Sequence, residues 1–139
     1  MSGKLIEKKK QKLTKLYNAA YDLLTANGVH NTIVDDIVKN AGVAKGTFYL
    51  YFKDKYEIRD RLIARTAGKL FMAAHEELEK CGIPEFEDKI VFIVDYVLDQ
   101  MVKNKAILKF ISKNLSWGIF RQAIIKNEGD ETHARKRLR

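Results

Sequence analysis

Apolar residues in this chain recur at steps of three and four, and that period predicts helices throughout. Leu13, Leu16, Tyr17, Ala20, Leu23 and Leu24 line one face of a first helix, which Asn27-Gly28 closes with Gly28 as a left-handed cap. Thr32 is placed to open the next helix as its N-cap, with Asp35 at the positive helix end and Ile37 and Ala41 as the buried stripe. Residues 44–51 form a further short helix, and Asp54 with Glu57 caps a fourth. The fourth is long: Ile58, Leu62, Ala67, Leu70, Phe71, Ala74 and Leu78 keep one apolar stripe until Cys81-Gly82-Ile83-Pro84 ends it. Another helix begins at Glu85 or Phe86 and runs to about Val102, with Ile90, Ile93, Val94, Val97, Leu98 and Met101 expected inward. A turn at Asn104-Lys105 leads to Ile107, Leu108, Ile111 and Leu115, and Gly118 is a weak point before Phe120, Ala123 and Ile124. No segment alternates over a strand length, so the expected class is all-α.

Residues 34–52 carry the most information. They read as two short helices joined by a sharp corner, braced by Ile37, Ala41, Val43, Phe48 and Tyr51, with Gly42 at the turn. Phe48 and Phe52 share one face at i, i+4 and are expected in the core. Lys45, Gly46, Thr47 and Tyr49 are left near the outer face, and such residues grip phosphates and base edges in a major groove. The chain of 139 residues carries a formal charge of +8, which suits a polyanionic partner. Lys4, Lys8, Lys9, Lys10 and Lys12 add a basic N-terminal segment, read either as a frayed helix start or as an arm along DNA phosphates. Cys81 is the sole cysteine, which fits a reducing compartment and the reading of a buried small hydrophobe. The N-terminus lacks the apolar segment of a signal peptide and no run reaches the length of a membrane span, so a cytoplasmic protein is expected.

From residue 13 to residue 60 the chain resembles the TetR family of bacterial transcriptional regulators. The resemblance rests on the first helix ending in Asn-Gly, Thr32-x-Val34-Asp35-Asp36-Ile37, Ala41-Gly42-Val43, Lys45-Gly46-Thr47-Phe48-Tyr49-Leu50-Tyr51-Phe52 and Lys53-Asp54-Lys55. Two positions depart from the pattern. Val38 stands where alanine is often preferred, and Ala44 stands where serine or threonine often caps the recognition helix. The resemblance implies a three-helix DNA-binding head over residues 1–55. A long fourth helix then joins it to a helical ligand-binding and dimerisation domain over residues 56–139. Relatives of this kind usually run longer, so that second domain is expected to be incomplete. The implied function is a repressor released from a palindromic operator by a small molecule. The alternative is a ligand-independent architectural or adaptor protein using the same motif.

At the DNA, Lys45 is long enough for guanine O6/N7 or a phosphate, Gly46 permits close backbone approach, and Thr47 offers a hydroxyl or a methyl. Tyr49 can hydrogen-bond a phosphate, and Leu50 can meet a thymine methyl or shield the core. Tyr51 fits the core by its ring while its hydroxyl can emerge at the backbone. Lys55, in the first turn of the fourth helix, is placed as a phosphate clamp, and Thr32 can act as cap and phosphate ligand. One such motif contacts few base pairs, so a homodimer on double-stranded DNA with half-sites about one turn (~34 Å) apart is expected. For an effector, small and hydrophobic or cationic, the candidate residues are Tyr96, Asp99 and Trp117, with Asp95 as a further acceptor. No catalytic, metal or cofactor site is expected. His30, His75 and His133 lack partners at ligand spacing, and Lys45-Gly46-Thr47 lacks the glycine frame of a P-loop.

Overall fold

The computed structural model describes residues 2–115, and among these every regular element is a helix: α1 (Ser2–Asn27), α2 (Val34–Ala41), α3 (Lys45–Tyr51), α4 (Lys55–Cys81), α5 (Phe86–Lys103) and α6 (Lys105–Asn114). The boundaries follow local chemistry. Gly28, Gly42 and Gly82 adopt φ of 77°, 69° and 60° after α1, α2 and α4, a region that costs a Cβ-bearing residue energy. Asp54 caps α4 by accepting from the Tyr56 and Glu57 amides, and the Glu57 carboxylate accepts from Lys53 N–H. α1 begins at Ser2, so the lysine-rich segment forms its first turns.

α2 starts one residue later than the sequence pattern suggests. Its N-cap is Ile33, whose backbone N–H donates to the Asp36 carboxylate. Thr32 is not the cap, because its hydroxyl donates instead to the Gly28 carbonyl at 2.8 Å and closes the preceding turn. Ala44 at the α3 N-cap supplies no side-chain bond, as its methyl requires.

One buried cluster organises the bundle. Leu16, Tyr17, Ala20 and Leu24 of α1 meet Ile37 and Val38 of α2, Phe48 of α3 and Phe52 at its C-cap, Ile58 and Leu62 of α4, and Phe110 of α6. Phe52 is edge-on to Tyr17 at 5.4 Å between centroids and tilted against Phe48 at 5.3 Å. Burying a side chain of this size stabilises the fold by roughly 1.5–3 kcal/mol. Along α4 the inward stripe is Ile58, Leu62, Leu70, Ala74 and Leu78, whereas Phe71 is exposed.

α6 returns to the end of α1. Asn114 Nδ2 donates to the Leu24 carbonyl at 2.9 Å, and Lys113 Nζ donates to the Ala26 carbonyl at 2.7 Å. These carbonyls belong to the last turn of α1; that of Leu24 also accepts from Gly28 N–H at 3.0 Å, so α6 adds a second donor there and caps the Ala26 carbonyl from outside the helix.

α5 departs from expectation. Ile93, Val97 and Met101 are half-buried, but Ile90, Val94 and Leu98 are exposed, as is Phe86. α5 packs against α4 and α6 on one side, and its apolar stripe is wider than that contact. Cys81 is also exposed, because it sits in the final turn of α4 beyond the buried stripe. Trp117, Gly118, Phe120, Ala123, Ile124 and His133 lie outside the described residues.

Candidate nucleic-acid interface

The α2–α3 corner fixes which residues of α3 face outward. Gly42 turns the chain, its N–H donating to the Lys39 carbonyl, and Val43 N–H donates to the Val38 carbonyl at 3.1 Å. Phe48 then enters the core with no exposed surface. On a helix of seven residues that single anchor sets the orientation of the rest. Lys45, Gly46, Tyr49 and Leu50 are exposed, Leu50 by 81% and Tyr49 by 51%. Thr47 and Tyr51 are half-buried, with the Tyr51 ring 6.4 Å from that of Phe52. A Cβ added at Gly46 would meet no described atom within 4 Å, so that backbone is open to a surface laid against it.

Lys45 is not free in the corner. Its Nζ lies 2.8 Å from Asp35 Oδ1, joining the first turns of α2 and α3. The hydrogen bond that Lys45 donates to Asp35, and then the negative charge of Asp35, hold the Lys45 ammonium above the ordinary lysine range, so it stays protonated at any neutral pH. Both partners are exposed and the pair opens readily to solvent or to a competing anion.

Lys55 has a partner that sequence reasoning missed. Its Nζ donates to the Thr32 carbonyl at 3.0 Å and lies 5.5 Å from the centre of the Tyr56 ring. Thr32 itself is 1% exposed, and its hydroxyl is engaged by Gly28. The structure therefore places Thr32 behind Lys55, not beside it on the surface. The bond ties the α4 N-terminus to the loop before α2. Near it, Tyr56 is exposed and stacks on Arg59, whose guanidinium is 5.2 Å from the ring centre and bonded to Asp60. Arg61 lies over Phe52 and pairs with Glu57 at 2.7 Å. The Asp-Lys-Tyr-Glu order of a capped helix start was the available signal for the contacts within α4, but not for the Lys55–Thr32 bond.

The candidate effector residues are only partly assembled. Tyr96 and Asp99, with Phe92 and Asp95, line an open hollow on α5, and Asp99 is paired with Lys103 at 2.9 Å. Trp117 lies outside the described residues. A separate crevice of about 370 Å³ lies where α1 and α4 meet the α5–α6 corner. Among the described residues no helix is long and apolar enough to cross a membrane.

Comparison with known proteins covers both the corner and the scaffold. Residues 16–62 match the family described as bacterial regulatory proteins, tetR family. The chain is 35% identical over 75 residues to the fatty acid metabolism regulator protein of Bacillus subtilis (strain 168), covering 54% of this chain and 39% of that one. It is 46% identical over 89 residues to the HTH-type transcriptional regulator YvdT of the same organism, covering 64% of this chain and 43% of that one. In structure it is similar to the fatty acid degradation regulator FadR from Bacillus halodurans, with a TM-score of 0.59 and 25% identity over 73% of this chain and 52% of that one. FadR from Bacillus subtilis, solved in complex with stearoyl-CoA, gives a TM-score of 0.57 and 26% identity over 68% of this chain and 50% of that one. The chain thus spans about half the length, or less, of these relatives. The matched segment coincides with the head built by α1–α3 and the start of α4, and residues 16–62 are thus the DNA-binding segment of the tetR family of bacterial regulatory proteins.

Proposed function

We propose that this protein is a sequence-specific DNA-binding transcriptional regulator, acting in the cytoplasm as a homodimeric repressor on a palindromic operator and released by a small-molecule effector. The observation that carries the reading is the outward face of α3, where Lys45, Gly46, Tyr49 and Leu50 are exposed around the buried Phe48. In this reading α3 enters a major groove. Lys45 exchanges Asp35 for guanine O6/N7 or a phosphate, Thr47 reads a base by hydroxyl or methyl, and Leu50 meets a thymine methyl. Gly46 lets the backbone approach. Tyr49 donates its phenol O–H to a phosphate, with the Tyr51 hydroxyl at the edge of the same surface. Lys55 keeps one N–H on the Thr32 carbonyl and offers the others to a phosphate, so Thr32 contributes by positioning Lys55.

A seven-residue helix reads few base pairs, which is the physical reason for a two-fold partner and a palindrome. The stearoyl-CoA complex of Bacillus subtilis FadR supports an effector with an apolar tail over a cationic one. Release requires that the effector prefer a state in which the two heads do not fit adjacent grooves. α4 through Lys55, and α6 through Asn114 and Lys113, are the bonded links by which the second layer displaces the head.

Footprinting on genomic fragments, with and without a long-chain acyl-CoA, tests this reading. Discrete two-fold protection that the acyl-CoA removes supports it. Broad, salt-labile coating indifferent to the acyl-CoA contradicts it and supports an architectural role.

A further inference from the structure

The crevice between α1, α4 and the α5–α6 corner has a composition that core packing does not require. Its floor is apolar, with Leu62, Leu70 and Ile107, while its rim carries Arg65, Lys69 and Asn18. No aspartate or glutamate among the described residues lines it. Arg65 and Lys69 take part in none of the ion pairs among the described residues, although Asp and Glu pair with Lys45, Arg59, Arg61, Lys80 and Lys103 elsewhere. The Arg65 guanidinium rests 4.4 Å from the centre of the Tyr17 ring, and no described residue accepts from it.

We propose that this crevice binds a small organic anion, a carboxylate with a short apolar body. The carboxylate accepts from Arg65 and Lys69, and the body lies on Leu62, Leu70 and Ile107. A volume of about 370 Å³ sits at the lower end of ligand pockets, which run from about 300 to 1,000 Å³, so the ligand is much smaller than an acyl-CoA. Two neighbouring cations favour an anion over a neutral or cationic molecule of the same shape. Because the walls come from α1 on one side and α4 and the α5–α6 corner on the other, an occupant bridges the head and the second layer.

Calorimetric titration of the whole chain without DNA tests the site independently of any operator. The probes are hexanoate, hexylamine and inorganic phosphate at fixed ionic strength. Hexanoate is expected to bind saturably at one site and about tenfold more tightly than either of the others. Lys69→Gln, at an exposed residue, should weaken hexanoate about tenfold, the loss of one charge-assisted contact. Asn18→Asp, which adds a carboxylate to the rim, should weaken it at least as much, and both variants should keep the wild-type helical spectrum. Equal binding of hexanoate and hexylamine, phosphate binding as tight as hexanoate, absence of saturable binding, or two folded variants that bind like the wild type would each overturn the proposal.

Discussion

Lys45 and Asp35 face each other across the α2–α3 corner, Nζ to Oδ1 at 2.8 Å, so the most forward cation of α3 is held by a carboxylate of the preceding helix. If α3 binds DNA as proposed, the DNA competes with that carboxylate for Lys45. Asp35→Asn is therefore expected to tighten binding to all duplexes and to steepen the salt dependence, by up to about 0.9 in the log–log slope, as Lys45 becomes fully available to a phosphate. Discrimination among sequences should fall, because Asp35 also restrains where the ammonium points. The melting temperature should barely change, since both groups are exposed. Filter binding across a salt series measures all three, and weaker binding by the variant would refute the competition.

Lys55 is both a candidate phosphate ligand and a structural tie to the Thr32 carbonyl. Lys55→Ala should weaken all sequences similarly and flatten the salt slope by about 0.9. Lys55→Gln can still donate to Thr32 but carries no charge. It should restore the stability lost in Lys55→Ala without restoring the slope. A glutamine variant that recovers DNA affinity would reduce Lys55 to a structural role.

Phe52 joins three elements: it meets Tyr17 edge-on and Phe48 at a tilt, with Arg61 5.2 Å from its ring centre. Phe52→Ala should cost about 3–5 kcal/mol, while Phe52→Leu, which keeps most of the volume, should cost much less. Urea unfolding followed by circular dichroism gives both values. Loss of DNA binding by Phe52→Ala should track unfolding of the head.

Asn114 is 2% exposed, and its Nδ2 bridges the carbonyls of Leu24 and Phe110. Its Oδ1 has no partner among the described residues. Asn114→Ala removes that donor while the Leu24 carbonyl keeps the Gly28 N–H, so a loss of about 0.5–1.5 kcal/mol is expected. Amide hydrogen exchange should accelerate in the last turn of α1 while α2 and α3 keep their protection. Uniform acceleration would mean that α6 does not act as a cap for α1.

The head was legible because its determinants are local. Asn27-Gly28, Gly42, Asp54 and the Phe48–Phe52 spacing each fix a turn, a cap or a core position within a few residues. α5 was less legible because its apolar residues surround more of the helix than one neighbour covers. Periodicity marks a helix face but not which part of a wide face meets a partner, and so Ile90, Val94 and Leu98 were expected inward. Thr32 shows a different failure: a threonine before a helix can cap it or close the preceding turn, and the Gly28 carbonyl won. The Lys55–Thr32, Asn114–Leu24 and Arg65–Tyr17 contacts join distant parts of the chain, and no sequence period records them.

The central claim is that α3 reads base sequence. Selection of bound sites from random duplexes, run in parallel for the wild type, Lys45→Ala and Thr47→Ala, tests it most directly. The account predicts a two-fold symmetric consensus for the wild type and a changed preference at a few base pairs in each variant, with the rest of the consensus kept. Identical consensus sequences from all three proteins, or no consensus from the wild type, would contradict it.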